Sequence, residues 1–279
     1  MPGTLYLVGT PIGNLEDITL RALTTLRAVD LIACEDTRET RKLLAHFHID
    51  KPLTSYHEHN QRGAGPRLIE QLQAGQSIAV VTDAGMPGIS DPGTALVAEA
   101  IAAGIPVVPI PGPTAFVAAL VASGLPTDRF AFEGFLPREP KLRRRRLREL
   151  VHEPRTLIFY EAPHRVAETL ADMAETLGPE RRASVGRELT KRFETFQRGR
   201  LDELAVHYTR EAPRGEFVLV LEGGQEASGP AENWREALSG LLESGMKATE
   251  AAKAIAKSHG VNRQEAYEAA LAIRENAPS

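Results

Sequence analysis

The chain has 279 residues, of which 42% are hydrophobic and 25% charged, and its net charge at pH 7 is −4. These proportions are typical of a globular protein with two domains and room for a small third piece, and the acidic balance argues against a protein that coats nucleic acid non-specifically. The single cysteine, Cys34, excludes an intrachain disulfide and a cysteine-based zinc cluster.

No targeting or membrane segment is visible in the sequence. The first residues lack a basic segment followed by an apolar run, and no apolar run is long enough to span a bilayer. We therefore expect a cytoplasmic protein.

The first half of the chain alternates strand patterns with helix patterns. The predicted strands are Leu5 to Val8, Leu31 to Cys34, Ser77 to Thr82 and Val107 to Ile110. Asp17 is predicted to cap the first helix. Further helices are predicted at Thr40 to Phe47, Pro66 to Ala74 and Thr94 to Ala103. This alternation predicts an α/β fold with a parallel sheet covered on both faces.

Loops rich in glycine, proline or charge follow each of these strands. They are Gly9 to Asn14, Glu35 to Arg38, Asp83 to Gly93 and Pro111 to Ala115. Ligands bind at the carboxyl ends of the strands in such sheets, and glycine lets the backbone approach them closely. The loop from Asp83 to Gly93 is the strongest candidate, although an ordinary surface turn is the alternative.

The character of the sequence changes after Pro126. An aromatic segment at Phe130 to Phe135 precedes predicted strands at Arg155 to Tyr160, Ala183 to Arg187, Phe193 to Gln197 and Glu216 to Leu221. We expect an N-terminal α/β domain in residues 1–124, a second α/β domain in 125–226, and a linker with a helical unit in 227–279.

The C-terminal tail resembles a helix-turn-helix motif, with predicted helices at Met246 to Lys257 and Arg263 to Ile273. A ligand-sensing, DNA-binding regulator is therefore one alternative function. Residues 231–279 carry nearly equal numbers of acidic and basic side chains, whereas DNA-reading modules are usually basic. A small accessory unit is the plainer interpretation.

Several common site motifs are absent. The sequence has no P-loop, no dinucleotide-binding glycine motif after the first strand, and no nucleophile elbow around Ser90. His57 and His59 are spaced to share a metal, but no third ligand is suggested, so we expect no metal site.

Five motifs together resemble one known family. The segment from Pro11 to Ala22 is similar to the entry motif of the tetrapyrrole methylase superfamily. Within that superfamily, five segments resemble the branch that methylates a ribose 2′-hydroxyl of a decoding-centre cytidine in 16S rRNA: T-P-I-G-N-L-E-D-I-T at 10–19, E-D-T-R at 35–38, D-A-G-M-P-G-I-S-D-P-G at 83–93, P-G-P-T-A at 111–115 and R-E-L-T-K at 187–191.

The resemblance implies two α/β domains with S-adenosylmethionine in the cleft between them, and a homodimer. The cofactor contacts that it implies are Pro11, Asp83, Ala84, Gly85, Met86, Ile89, Thr114, Ala115, Glu161 and Leu189. Met86 stands where the family usually has threonine; a backbone contact to the cofactor would survive that change, whereas a hydroxyl contact would not.

A ribose hydroxyl is a poor nucleophile, so a proton acceptor is expected beside the methyl donor. The candidates for catalysis are Lys191, Glu188, Glu35 and Asp36. A lysine with a lowered pKa would activate a hydroxyl, and Glu35 and Asp36 would instead orient the ribose.

The RNA partner implied by the resemblance must be held by positive charge. The candidates are Arg38 and the basic run Arg143, Arg144, Arg145, Arg146 and Arg148. A solvated helix face is the alternative for that run. Local basicity on an acidic chain suits an assembled small ribosomal subunit better than naked RNA. A tetrapyrrole C-methyltransferase remains the alternative enzyme.

Overall fold

The computed structural model describes residues 1–91, 93–210, 214–224, 230–259 and 261–275. The chain divides into two compact units, Met1–Arg148 with Arg155–Glu222 and Glu149–Pro154 with Gly223–Ser279. The first unit contains two sheets. The predicted boundary at residue 124 lies between these sheets, inside the first unit, and stays a prediction.

The first sheet has five parallel strands in the order β3-β2-β4-β1-β5. They are β1 (Leu5–Val8), β2 (Leu31–Cys34), β3 (Leu53–Ser55), β4 (Ile78–Val81) and β5 (Val107–Ile110). The central strand β4 is buried along its whole length, which explains its unbroken apolar sequence. The prediction of a parallel sheet is confirmed.

Helices cover both faces of this sheet, as predicted. They are α1 (Leu20–Ala28), α2 (Thr37–His46), α3 (Gln61–Gln73) and α4 (Thr94–Ala102). Leu26 and Leu44 of α1 and α2 pack on one face, against residues such as Val81. Leu72 and Leu96 of α3 and α4 pack on the other. The carboxyl ends of the strands are thereby left as the open edge.

Two predicted helix starts are wrong. Asp17 does not cap α1 but ends a short 3-10 turn, and the cap is Thr19, whose hydroxyl accepts a hydrogen bond from Ala22 N at 3.0 Å. Pro66 does not start α3, since the helix begins at Gln61, one turn earlier. Proline is favoured in a first turn, and that preference misplaced the boundary.

The second sheet is mixed, in the order β6-β7-β10-β8-β9. Its strands are β6 (Phe130–Phe135), β7 (Thr156–Glu161), β8 (Arg182–Arg187), β9 (Thr195–Arg200) and β10 (Phe217–Leu221). Helix α5 (Ala115–Ser123) follows the first sheet in sequence but packs on the second, where Leu120 joins a core with Ile158 and Val220. The remaining helices of the unit are α6 (Pro140–Glu149), α7 (Val166–Leu177) and α8 (Leu201–Arg210).

The second unit is helical, as expected. Its helices are α9 (Pro230–Glu243), α10 (Ala248–His259) and α11 (Arg263–Glu275), and its core includes Trp234, Leu238 and Ile255. Only α10 and α11 were predicted individually. Residues 225–229, which include the start of the predicted linker at residue 227, and Gly260 of the predicted turn lie outside the described residues. None of the helices in the described ranges is long and apolar enough to cross a membrane.

Candidate active site

The loops that follow β1 and β4 are joined by backbone hydrogen bonds. Thr10 N donates to Gly85 O at 2.9 Å, and Gly85 N donates to Thr10 O at 3.1 Å. The Thr10 hydroxyl, which is buried, donates to Thr82 O at 3.0 Å. Gly85 has φ of +90°, a conformation that a side chain would disfavour. This small bridge forms a rigid floor at the open edge of the first sheet.

A cavity of about 310 Å³ lies above this floor, between the loops of the first sheet and the end of the second. Its walls are mainly apolar and include Ile12 and Val218. The predicted cofactor residues that line it are Ala84, Gly85, Met86, Ile89, Thr114, Ala115, Glu161 and Leu189. The structure therefore brings these eight together from the segments after β4, β5 and β8 and from the end of β7, which are distant in sequence.

Two predicted cofactor residues face elsewhere. Pro11 and Asp83 line a smaller depression of about 190 Å³, together with Thr10 and Thr82. Asp83 Oδ1 accepts a hydrogen bond from Asp36 N at 3.1 Å, which joins the loops after β2 and β4. The position of Asp83 favours a role in holding these loops over one in contacting a ligand in the larger cavity.

The Met86 side chain packs against Gly9, which follows β1, and Gly9 packs in turn against Gly112, which follows β5. A Cβ added to Gly9 would lie 2.7 Å from Met86 Sδ and 2.7 Å from Gly112 Cα. Both glycines are therefore required by close packing. The thioether fills the space beside Gly9, and the part that Met86 plays in cofactor binding stays a prediction.

The turn after β8 brings Leu189 into the cavity and leaves its neighbours at the rim. Glu188 and Thr190 have φ of +52° and +64°, so both are held in a strained conformation. Lys191 Nζ lies 3.0 Å from Glu188 Oε1 and 2.9 Å from Glu216 Oε2. Glu216 itself lines the cavity.

The expected lowered pKa of Lys191 is wrong. Burial alone would lower it, but the hydrogen bonds to Glu216 and Glu188 outweigh burial and raise the pKa of the amine. The same contact with Lys191 overcomes the burial of Glu188 and lowers its pKa. Lys191 is therefore a protonated ion-pair partner in this arrangement, not a neutral base.

Asp36 is the N-terminal cap of α2. Its carboxylate accepts from Arg38 N at 2.8 Å and forms an ion pair with the Arg38 guanidinium at 2.6 Å. These hydrogen bonds hold the pKa of Asp36 at about 2. By contrast, burial and the nearby Asp83 raise the pKa of Glu35. Neither Glu35 nor Asp36 lines the larger cavity.

The cavity also contains ionisable residues that were not predicted, namely Asp91, Tyr160 and Glu216. Burial, Glu35 and Asp83 raise the pKa of Asp91 to about 7. Asp91 belongs to the glycine-rich motif and so had a sequence signal, whereas Tyr160 and Glu216 had none. In the described part of the chain, no group of three His, Cys, Asp or Glu side chains is arranged to hold a metal ion.

Glu161 is a fully engaged carboxylate at the end of β7. It is 2% exposed, and its two oxygens accept from Ala162 N at 2.8 Å and from the Thr169 hydroxyl at 2.6 Å. Arg165 Nε lies 3.4 Å away. These contacts fix Glu161 as part of the wall.

The basic run forms most of α6, and its arginines have different environments. Arg143 is 0% exposed and pairs with Asp172 and Glu168 of α7 at 2.6 and 2.7 Å, so the expectation that it contacts RNA is wrong. Arg146 pairs with Glu133 at 2.6 Å. Arg144, Arg145 and Arg148 are at least partly exposed, and Arg144 and Arg148 line a shallow groove with Lys141.

Comparisons with known proteins agree with this architecture. Residues 4–205 match the model of the Tetrapyrrole (Corrin/Porphyrin) Methylases. The chain is 54% identical over 272 residues to a protein of Halalkalibacterium halodurans named ribosomal RNA small subunit methyltransferase I, with 95% of this chain and 93% of that protein covered. It is 50% identical to the Synechocystis protein of the same name, with 97% and 98% covered.

Solved structures give the same fold. Uroporphyrin-III C-methyltransferase from Thermus thermophilus, complexed with S-adenosylhomocysteine, superimposes with a TM-score of 0.56 at 22% identity, covering 78% of this chain and 97% of that one. Diphthine synthase superimposes with a TM-score of 0.61 at 16% identity, covering 79% and 90%.

Proposed function

Because the chain belongs to the tetrapyrrole methylase family, and within it to the ribosomal RNA small subunit methyltransferase I group, we propose that it methylates the ribose 2′-hydroxyl of a cytidine in the decoding centre of 16S rRNA. It is an S-adenosylmethionine-dependent methyltransferase with an rRNA substrate. The substrate is inferred from sequence identity of 54% and 50% to two enzymes of that name. The similarity extends over nearly the full length of the chain, the helical unit included.

The cavity has the features that S-adenosylmethionine requires. The backbone from Ala84 to Met86 is exposed to a ligand because Gly85 lacks a side chain, and apolar walls from Ile12, Leu189 and Val218 suit an adenine ring. The bound cofactor supplies an activated methyl group on a sulfonium. The protein therefore has to align donor and hydroxyl in line and remove one proton.

Four exposed or partly exposed basic side chains support an RNA surface on α6. Lys141, Arg144 and Arg148 line one groove, and Arg145 projects from the same helix. A localised basic surface on a chain of net charge −4 suits a substrate presented by a large particle. We therefore propose the assembled small subunit as the substrate and the cytoplasm as the location of the protein.

A homodimer is part of the same proposal. Val117 and Val121 lie one helical turn apart on α5 and are 44% and 70% exposed, and Phe130, whose ring centroid lies 6.1 Å from that of Phe116 on α5, is 40% exposed. Exposed apolar groups of this kind favour a protein interface. Light scattering on the purified chain measures the oligomeric state directly, and a strictly monomeric protein would contradict this part.

The activity is tested in a strain that lacks the gene. Mass spectrometry of its 16S rRNA is expected to find one 2′-O-methylcytidine mark missing and restored by the wild-type chain. In vitro, the pure protein and labelled methyl donor should label small subunits faster than naked 16S transcript. Equal labelling of both would contradict the subunit preference, and label in a corrinoid instead of rRNA would favour the tetrapyrrole alternative.

A further inference from the structure

Four ionisable side chains line the cavity, and three of them are already engaged. Both oxygens of Glu161 accept hydrogen bonds from the wall. The Tyr160 hydroxyl accepts from Phe116 N at 3.3 Å, and burial raises the pKa of this phenol to about 12, so it stays protonated. Glu216 is paired with Lys191 at the rim, and its side chain is 76% exposed.

Asp91 is the fourth, and its surroundings differ. It is only partly exposed, and its carboxyl lies among the ends of β2 and β4 of the first sheet and β7 of the second. The Thr82 hydroxyl is close enough to lower its pKa, yet Thr82 Oγ1, in a side chain 2% exposed, completes no regular hydrogen bond. The carboxyl and this buried hydroxyl therefore retain hydrogen-bonding capacity beside the cavity.

The backbone holds Asp91 firmly in this position. Gly88 and Ser90 have φ of +85° and +60°, and the second value is costly for a residue with a side chain. Ser90 Oγ lies against β6, 3.5 Å from the place where a Cβ on Gly134 would sit. Strain retained at a cavity wall indicates that the placement of the next side chain matters.

We propose that Asp91 is the catalytic residue that accepts the proton of the ribose hydroxyl, an inference that rests on the proposed function. As the hydroxyl oxygen attacks, the new O–CH₃ bond forms and the S–CH₃ bond of the sulfonium breaks, with its electron pair retained by sulfur. The proton leaves the oxygen for the Asp91 carboxylate and later passes to water. No further reactant is needed.

The charges around Asp91 make it a better acceptor than an ordinary carboxylate. Glu35 from the end of β2 and Asp83 from the end of β4 face it, and Tyr160 faces it from β7. Burial and the two carboxylates raise its pKa to about 7, close to the pH at which a general base works best. The positively charged methyl donor, when bound in the cavity, stabilises the ionised form of Asp91. The pKa of Asp91 in that complex is therefore at or below about 7.

The first test compares Asp91→Asn with wild type in single-turnover methylation of small subunits. The variant is expected to react at least about 100-fold more slowly, as for loss of a general base. Its Kd for S-adenosylhomocysteine should stay within about twofold, because asparagine keeps the shape of the wall. Asp50→Asn, an exposed aspartate at the opposite edge of the first sheet, is the matched control and should react normally.

The second test does not require the Asp91 variant to fold. The wild-type rate is expected to rise with pH and level off near pH 7. Glu35→Gln removes one negative neighbour and lowers the pKa of Asp91, so the midpoint of its profile should move to lower pH. A merely structural role for Asp91 would leave that midpoint in place.

The outcomes are separable. Asp91→Asn reacting within about threefold of wild type, or a midpoint unmoved by Glu35→Gln, overturns the assignment of Asp91 while the proposed function stands. A wild-type protein that labels no small-subunit RNA overturns the proposed function, and the assignment of Asp91 with it.

Discussion

The side chain of Lys191 lies across the backbone of Gly13. A Cβ on Gly13 would come within 2.9 Å of Lys191 Cε and closer still to Cγ. The turn after β8 thus contacts the loop after β1, and a residue from the second sheet is positioned by a glycine from the first. This contact explains why both motifs belong to one site.

Gly13→Ala should displace Lys191 from Glu188 and Glu216 and lower the free energy of unfolding by about 1 kcal/mol, within the range for overpacking. The same substitution in a Lys191→Ala background should cost less, because the clash is gone and only the backbone strain at the Gly13 φ of +155° remains. Urea denaturation of the four proteins measures this coupling. Gly63→Ala, on α3 with no atom within 4 Å of the added Cβ, is the control and should be neutral or stabilising. Additive effects at Gly13 and Lys191 would contradict the contact.

Gly85→Ala is predicted to weaken binding of S-adenosylhomocysteine at least about tenfold. The added Cβ would lie 3.6 Å from Ile12 Cγ2, at the cavity wall, and the φ of +90° would shift. Gly104→Ala is the matched control, since Gly104 has φ of +70° and no atom within 4 Å. Both variants should lose a similar amount of stability, about 1 kcal/mol. Calorimetry should find weaker binding only for Gly85→Ala, and equal binding by both would argue against the cavity as the cofactor site.

Two arginines of α6 should behave oppositely. Arg143→Ala leaves Asp172, which is 7% exposed, with only the more distant Arg144, and should cost about 3 kcal/mol or more. Arg148→Ala removes an exposed side chain and should change the unfolding free energy by less than about 0.5 kcal/mol. Chemical denaturation compares the two, and similar stabilities would contradict the buried pair.

Lys141→Ala and Arg148→Ala should instead weaken RNA binding. Each removes one potential phosphate contact and should reduce the slope of log affinity against log salt concentration by about 1. Filter binding or fluorescence anisotropy across a salt series measures this slope. Arg67→Ala, on an exposed position of α3, is the control that should leave it unchanged. An unchanged slope in the α6 variants would indicate that RNA binds a different surface of the protein.

Local patterns predicted much of the fold. The apolar run of β4 predicted a buried strand of the sheet, and the glycine-rich loop after it predicted the ligand site whose floor this loop forms. Contacts between distant segments were not accessible in this way. Burial of Arg143 depends on Asp172 and Glu168 of α7 facing it. The predicted role of Lys191 needed a lowered pKa, and its pKa is instead raised by contacts that include Glu216, 25 residues further along the chain. Asp91 lay within a recognised motif, but its two acidic neighbours come from β2 and β4, and only the folded sheet brings them together.

Asp91 should make stability depend on pH. Its pKa is about 7 in the folded protein against 3.8 for an unperturbed aspartate, so the folded state binds the proton more tightly than the unfolded state. Its contribution to stability is therefore fully present below about pH 4, declines as pH rises, and is lost above about pH 7. Asp91→Asn removes the buried negative charge and should raise Tm by about 2 °C or more at pH 8, with a smaller gain at pH 5. Calorimetry at both pH values measures the difference, and Asp50→Asn should have the same small effect at each. A gain at pH 5 as large as that at pH 8 would mean that Asp91 titrates normally.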